Sequence, residues 1–195
     1  MNTRWKLVRA SRSIVLLAML MVAALAVAQV ETIDVVARGT STQLGKNLNI
    51  KIIVNQYSAP EDKETLKQAF LQGGNEALVK ALSKMKGVGR IQIPGTVGYT
   101  LAYVASIPTP TGRRVRFVTD RRITFGEAYH NTRSTAYNLT AGEIDINDQD
   151  KDKSAGVLYP AAQLVINTDG DLTLELLRNP WQLTNIIDWK PKKEQ

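Results

Sequence analysis

Residues Tyr99 to Phe125 read YTLAYVASI, PTPTG, RRVRFVTDRRITF: two strand-like runs, Tyr99 to Ile107 and Arg113 to Phe125, joined by the turn Pro108-Thr109-Pro110-Thr111-Gly112. Aromatic and β-branched residues suit a pleated, half-buried surface, and two prolines with a glycine in five residues mark a turn. A connection this short pairs the two runs as an antiparallel hairpin. In the second run Val115 and Phe117 fall on one face and Arg114 and Arg116 on the other, the period of two that a strand imposes.

The same period recurs to either side. Upstream, Ile33, Val35 and Ala37 alternate with Thr32 and Asp34 over Thr32 to Ala37, and a second alternating run extends from Leu48 to Tyr57; these two are expected to pair antiparallel. Downstream, Leu139 to Ile146 and Gly156 to Asn167 form another pair across an acidic loop. Asp169-Gly170 then offers a two-residue hairpin turn into Leu172 to Leu176.

One segment breaks the pattern. Pro60 precedes an acidic first turn of Glu61, Asp62 and Glu64, while Lys80, Lys84 and Lys86 crowd the end before Gly87, an order that complements a helix dipole, with Gly87 as the terminator. Leu66, Phe70, Ala77, Ala81 and Met85, with Leu78 and Leu82 beside them, make one apolar face. Gly73-Gly74 interrupts it, which predicts a kink or a close backbone approach, with packing preferred to a hinge. The expected fold class is α+β: mainly antiparallel β-sheet of about eight strands in hairpins, with one long amphipathic helix packed on it.

Residues 1–28 read as a secretory signal peptide: Arg4, Lys6, Arg9 and Arg12 form a basic head, Ile14 to Leu25 an apolar run, and Ala26-Val27-Ala28 the cleavage site. The run is about a dozen residues where a spanning helix needs about 20, so no membrane anchor is expected after cleavage behind Ala28. Residues 29–189 are expected to form a single globular domain and 190–195 a flexible tail, in a secreted or periplasmic protein. With no cysteine, disulfides, thiolate metal sites and lipid anchoring on cysteine are excluded. The chain carries 25 basic and 18 acidic residues, and loss of the four basic leader residues brings the basic total to 21. So even a balance calls for no nucleic acid as partner.

The chemistry-bearing residues are few. His130 is the only histidine, which excludes multi-histidine metal sites and an H-E-x-x-H metalloprotease. Asp120 or Asp145 could orient it in a triad, but no serine sits in a G-x-S-x-G elbow, and His130 reads as a surface residue. Glu127 and Glu143 are candidates for a glycosidase-like carboxylate pair. Gly87-Val88-Gly89 has Gln92 where a dinucleotide fingerprint needs its third glycine. Asn138-Leu139-Thr140 matches a glycosylation sequon.

Asp145, Asp148, Asp150 and Asp152 are the candidate metal ligands, because calcium favours clustered oxygens on a loop. The EF-hand pattern nevertheless fails, with Lys153 at the glycine position and Tyr159 at the final glutamate, so the loop is expected to be a hydrated hairpin connection. Arg114, Arg116, Arg121 and Arg122, with Arg113, make a candidate basic ribbon for polyanions such as phosphate-bearing envelope polymers, although a solvated strand face has the same pattern. Trp181, Leu183, Ile186, Ile187 and Trp189 form an apolar segment expected to close the end of the core instead of docking a partner.

These readings converge on a non-catalytic binding or structural protein of a bacterial-type cell envelope, without a cofactor, its partner an envelope polymer or protein. The alternatives are an envelope-glycan hydrolase using a carboxylate pair and a calcium-stabilised extracellular module.

Overall fold

A computed structural model describes residues 30–40, 44–123, 138–166, 172–176 and 179–189. The leader at 1–28, Glu127, His130, the Asp169-Gly170 turn and the tail at 190–195 lie outside the described residues.

Every described strand belongs to one antiparallel sheet. The strands are β1 (Glu31–Arg38), β2 (Asn47–Val54), β3 (Gly89–Gln92), β4 (Tyr99–Thr109), β5 (Gly112–Thr119), β6 (Leu139–Asn147), β7 (Ala155–Ile166), β8 (Leu172–Leu176) and β9 (Trp181–Trp189). The helix α1 (Pro60–Leu82) joins β2 to β3. Neighbours run β6-β5-β4-β3-β2-β1-β9-β7, and β6 pairs with β7 to close an eight-stranded barrel, leaving β8 beside the far part of β7. The α+β reading with a mainly antiparallel sheet therefore holds, and the sheet is closed.

Closure rests on β9, which pairs with β1 on one side and β7 on the other. The sequence reading did not identify it as a strand, because its period breaks. Register shifts from Asp34↔Ile187 to Val36↔Thr184, and Asn185 takes a left-handed φ of 50°, a conformation to which asparagine is suited. This bulge inserts one residue and exchanges the faces. Trp181, Leu183 and Ile186 are consequently buried, while Ile187 and Trp189 are 49% and 57% exposed. The expected core role holds for the first three and fails for the last two.

Inward residues of every strand of the ring fill the barrel: among others Ile33 and Val35, Ile50 and Ile52, Ile91, Leu101 and Val104, Phe117, Ile144, Leu158 and Leu183. An eight-stranded barrel is just wide enough for side chains to pack its interior. The Phe117 ring fits because its cross-strand partner is Gly142, where a Cβ would collide with it. At one end Thr140 ties the chain beyond β5 to the wall: its hydroxyl donates to the Pro160 carbonyl at 3.0 Å and accepts from the Ile123 N–H at 2.8 Å.

Several boundaries differ from the sequence reading. The second strand stops at Val54 instead of Tyr57, because the N–H groups of Asn55 and Gln56 both turn to the Val88 carbonyl. The hairpin turn shrinks to Pro110-Thr111, and β5 ends at Thr119, whose hydroxyl donates to the Arg121 carbonyl and turns the chain. The helix ends at Leu82, five residues before Gly87; a Cβ at Gly87 would strike the Thr100 side chain.

Helix α1 starts where its sequence says it should. Pro60 occupies the first turn, where its missing N–H costs nothing, and the Asp62 carboxylate accepts from the Ala59 N–H at 2.9 Å. Gly73 and Gly74 leave helical geometry, Gly74 with φ 62° and ψ −153°, so the pair makes a kink. No backbone approaches Gly74, since a Cβ there would meet nothing within 4 Å. Phe70, Leu78 and Leu82 pack with Ala102 and Leu139 on the outside of the barrel, flanked by Leu66, Tyr103 and Val118. The helix thus covers an outer wall, as an amphipathic face requires.

Candidate functional site

The candidate residues of the basic ribbon lie on different parts of the barrel. Arg114 and Arg116 point outward from β5 beside their cross-strand partners Asp145 and Glu143 on β6. The Arg114 guanidinium donates to both Asp145 carboxylate oxygens at 2.6 and 2.9 Å, and Arg116 donates to Glu143 at 2.5 Å. Hydrogen bonding to Asp145, followed by the charge of Glu143, raises the pKa of Arg114. Arg121 and Arg122 follow the end of β5; Arg121 stands 5.8 Å from the Tyr99 ring centre and 3.9 Å from Asp120.

Arg113 faces inward. At the barrel mouth its Nη1 donates to Glu31 at 3.0 Å and to the Tyr57 hydroxyl at 2.5 Å, while Nη2 donates to Glu31 at 2.5 Å and Asp188 at 2.7 Å. The Tyr57 hydroxyl donates to Glu31 at 2.7 Å. Burial works against the charge of Arg113, yet the hydrogen bonds to Glu31 and Asp188 outweigh it and its pKa rises. Burial, then the Glu31 carboxylate, pushes Tyr57 up to about 12. This knot places paired charge at the mouth, with only the buried Arg113 Nε of its guanidinium left without a hydrogen-bond partner.

The acids of the β6–β7 loop are engaged locally. The Asn147 side chain accepts from the N–H groups of Gln149 and Asp150, and Asp150 accepts from the Asp152 N–H at 3.2 Å and pairs with Lys153 at 3.1 Å. Such bonds substitute for a regular turn. Asp148 lines a hollow of about 300 Å³ with Lys151, Ser154, Asp188 and Trp189. Among the described residues no three of His, Cys, Asp and Glu converge as a metal group. Glu143 stands beside Asp145 on an outer wall, held by Arg114 and Arg116, while Glu127, the other member of the candidate carboxylate pair, lies outside the described residues.

A different site emerges where α1 leaves the barrel wall. Between the helix and the outer faces of β4 and β5 lies a cleft of about 530 Å³. Leu66, Leu78 and Leu82 line it from the helix, and Tyr103, Ala105 and Val118 from the wall. Burial, then the negative charge of Asp62, raises the pKa of Tyr103, so its hydroxyl stays neutral. Ser58 closes one edge: its N–H donates to the Val104 carbonyl at 2.8 Å and its hydroxyl accepts from the Val104 N–H at 3.0 Å. Lys63, Lys67 and Arg116 supply the charge around it. None of the cleft residues except Arg116 was singled out as a binding candidate from the sequence. The available signal was the unbroken apolar run Leu101 to Ala105, too apolar on both faces for a strand with one wet side.

Among the described residues no helix is long and apolar enough to cross a membrane. No protein-family model, curated protein or solved structure matches this chain.

Proposed function

We propose that the chain is a non-catalytic binding protein of the cell envelope, exported by its leader and holding a small apolar ligand in the cleft between α1 and the β4–β5 wall. One observation carries the binding reading: the barrel interior is packed by its own side chains, and an apolar cleft of about 530 Å³ lies outside it. An interior ligand would have to displace Phe117 and the isoleucines around it. The cleft needs no such displacement, and its volume falls within the range of about 300–1,000 Å³ usual for small-molecule sites. The envelope location rests on the leader pattern of residues 1–28.

Native mass spectrometry of the protein isolated gently from its own source tests both parts. The expected result is a polypeptide beginning at Gln29 with added mass of small-molecule size, absent from an Ala105→Trp variant that fills the cleft. Bare polypeptide in both proteins would overturn the binding reading, and a chain retaining residues 1–28 would overturn the export reading.

A further inference from the structure

We infer that the cleft takes a single-chain anionic amphiphile, a molecule of fatty-acid type whose alkyl tail lies against Leu66, Leu78, Tyr103 and Val118 and whose acid group meets Lys63 and Lys67. The inference rests on the binding reading above and names its ligand class.

The interior of the cleft offers little to a polar ligand. The Ser58 hydroxyl is held by Val104 and the lining is otherwise aliphatic apart from Tyr103 and the cations. An extended peptide would need a strand edge to join, but Ser58 already occupies the β4 edge at Val104, and Pro108 further along has no N–H to give. An alkyl chain asks for no hydrogen bonds and suits such walls.

The charges point to an acid head group. Lys63 and Lys67 lie four residues apart and so share one face of α1. No acidic side chain is among the lining residues, the charge of Asp62 reaching Tyr103 from the first helical turn, and among the described residues neither lysine has an ion-pair partner. Arg116 completes the set from the opposite wall, its charge shared with Glu143. Two like charges one turn apart on a helix face repel each other modestly. A bound anion removes that penalty.

Isothermal titration of the purified protein with dodecanoate, dodecan-1-ol and dodecyltrimethylammonium tests the inference. Dodecanoate is expected to bind at least about tenfold more tightly than the alcohol, and the ammonium compound more weakly than either, because charge-assisted hydrogen bonds favour the acid. Lys63→Gln with Lys67→Gln should bring acid and alcohol within about twofold of one another while leaving the alcohol unchanged. Ala105→Trp and Leu66→Trp, which fill the cleft from opposite walls, should abolish binding of both, and two variants guard against one of them misfolding. Equal binding of all three amphiphiles to the wild type overturns the anionic inference and leaves the cleft reading standing. Failure of all three to bind, or unchanged binding to both folded tryptophan variants, overturns the cleft reading and the inference with it.

Discussion

Arg113 and Glu31 sit diametrically opposite in the barrel, with three strands between theirs in either direction, and meet across its mouth through two hydrogen bonds of 2.5 and 3.0 Å. With Asp188 they form a cluster whose side chains are only 10–13% exposed. Removing one member of a buried ion pair leaves its partners as uncompensated charges, at a cost of about 3–5 kcal/mol. Arg113→Met is therefore expected to lower unfolding free energy by that amount in urea titration. Replacing all three with apolar residues, Glu31→Leu, Arg113→Met and Asp188→Leu, should recover much of the loss. A single-variant cost under about 1 kcal/mol would show that these charges are effectively solvated.

Gly142 lies under the Phe117 ring, and Gly142→Ala is expected to destabilise the barrel by about 1–3 kcal/mol through overpacking. Trimming the ring supplies the control. In a double-mutant cycle Phe117→Leu and Gly142→Ala should cost less together than the sum of the two alone. Additive costs would mean that the two residues do not share the space.

The sequence exposes most of this architecture because period-two alternation survives wherever one face of a strand is packed and the other wet. β1, β2, β5, β6 and β7 were readable on that ground, as was α1 from its charge order and apolar face. Closure was hidden by two features. β3 is only four residues long, and the bulge at Asn185 sets Trp181, Leu183 and Ile186 on the inner face with a spacing that matches neither a strand nor a helix. The cleft was hidden for another reason. Nothing local in the sequence sets Lys63 and Lys67 apart until the fold places Tyr103, Ala105 and Val118 opposite them. Conversely, Arg114 and Arg116, which stood out in the sequence, proved to have Asp145 and Glu143 opposite them on the next strand, at positions that no local pattern pairs.

Tyr57 gives a pH signature. Its folded pKa is raised to about 12 from 10.0, so the folded state holds the proton more tightly than the unfolded chain. The associated stability is complete below pH 10 and is lost as pH rises from 10 towards 12. Tyr103 and Tyr159 shift upward too and add losses of the same sign. Denaturation measured over that window should fall less steeply for Tyr57→Phe than for the wild type. Identical slopes would place the Tyr57 hydroxyl in water.

Gly74 occupies backbone space that is essentially closed to residues bearing a Cβ, although nothing lies near enough to obstruct the side chain itself. Gly74→Ala should accordingly cost about 1–3 kcal/mol through backbone strain alone. Thermal melting measures it. An unchanged or raised midpoint would mean that α1 can straighten without loss.

Calcium is expected to leave the melting temperature unchanged, because the Asp145 carboxylate is held by Arg114 and that of Asp150 by Lys153 and the Asp152 N–H. A ligand that binds only the folded state must stabilise it. A midpoint that climbs with added calcium would restore the β6–β7 loop as a metal site.

The pairing of β1 with β9 also shapes how the chain acquires its fold. Thr32 is matched with Trp189 and Arg38 with Gln182, so the first described strand waits for the last. Until β9 is present, β1 and part of β7 are bare edges, the kind of surface that recruits other chains. Local hairpins such as β4–β5 can form early, but the final seam joins segments far apart in sequence, and topologies dominated by such contacts fold on scales of about milliseconds to seconds. During that interval the chain resembles a cask lacking a stave, open along its length and vulnerable to its own copies.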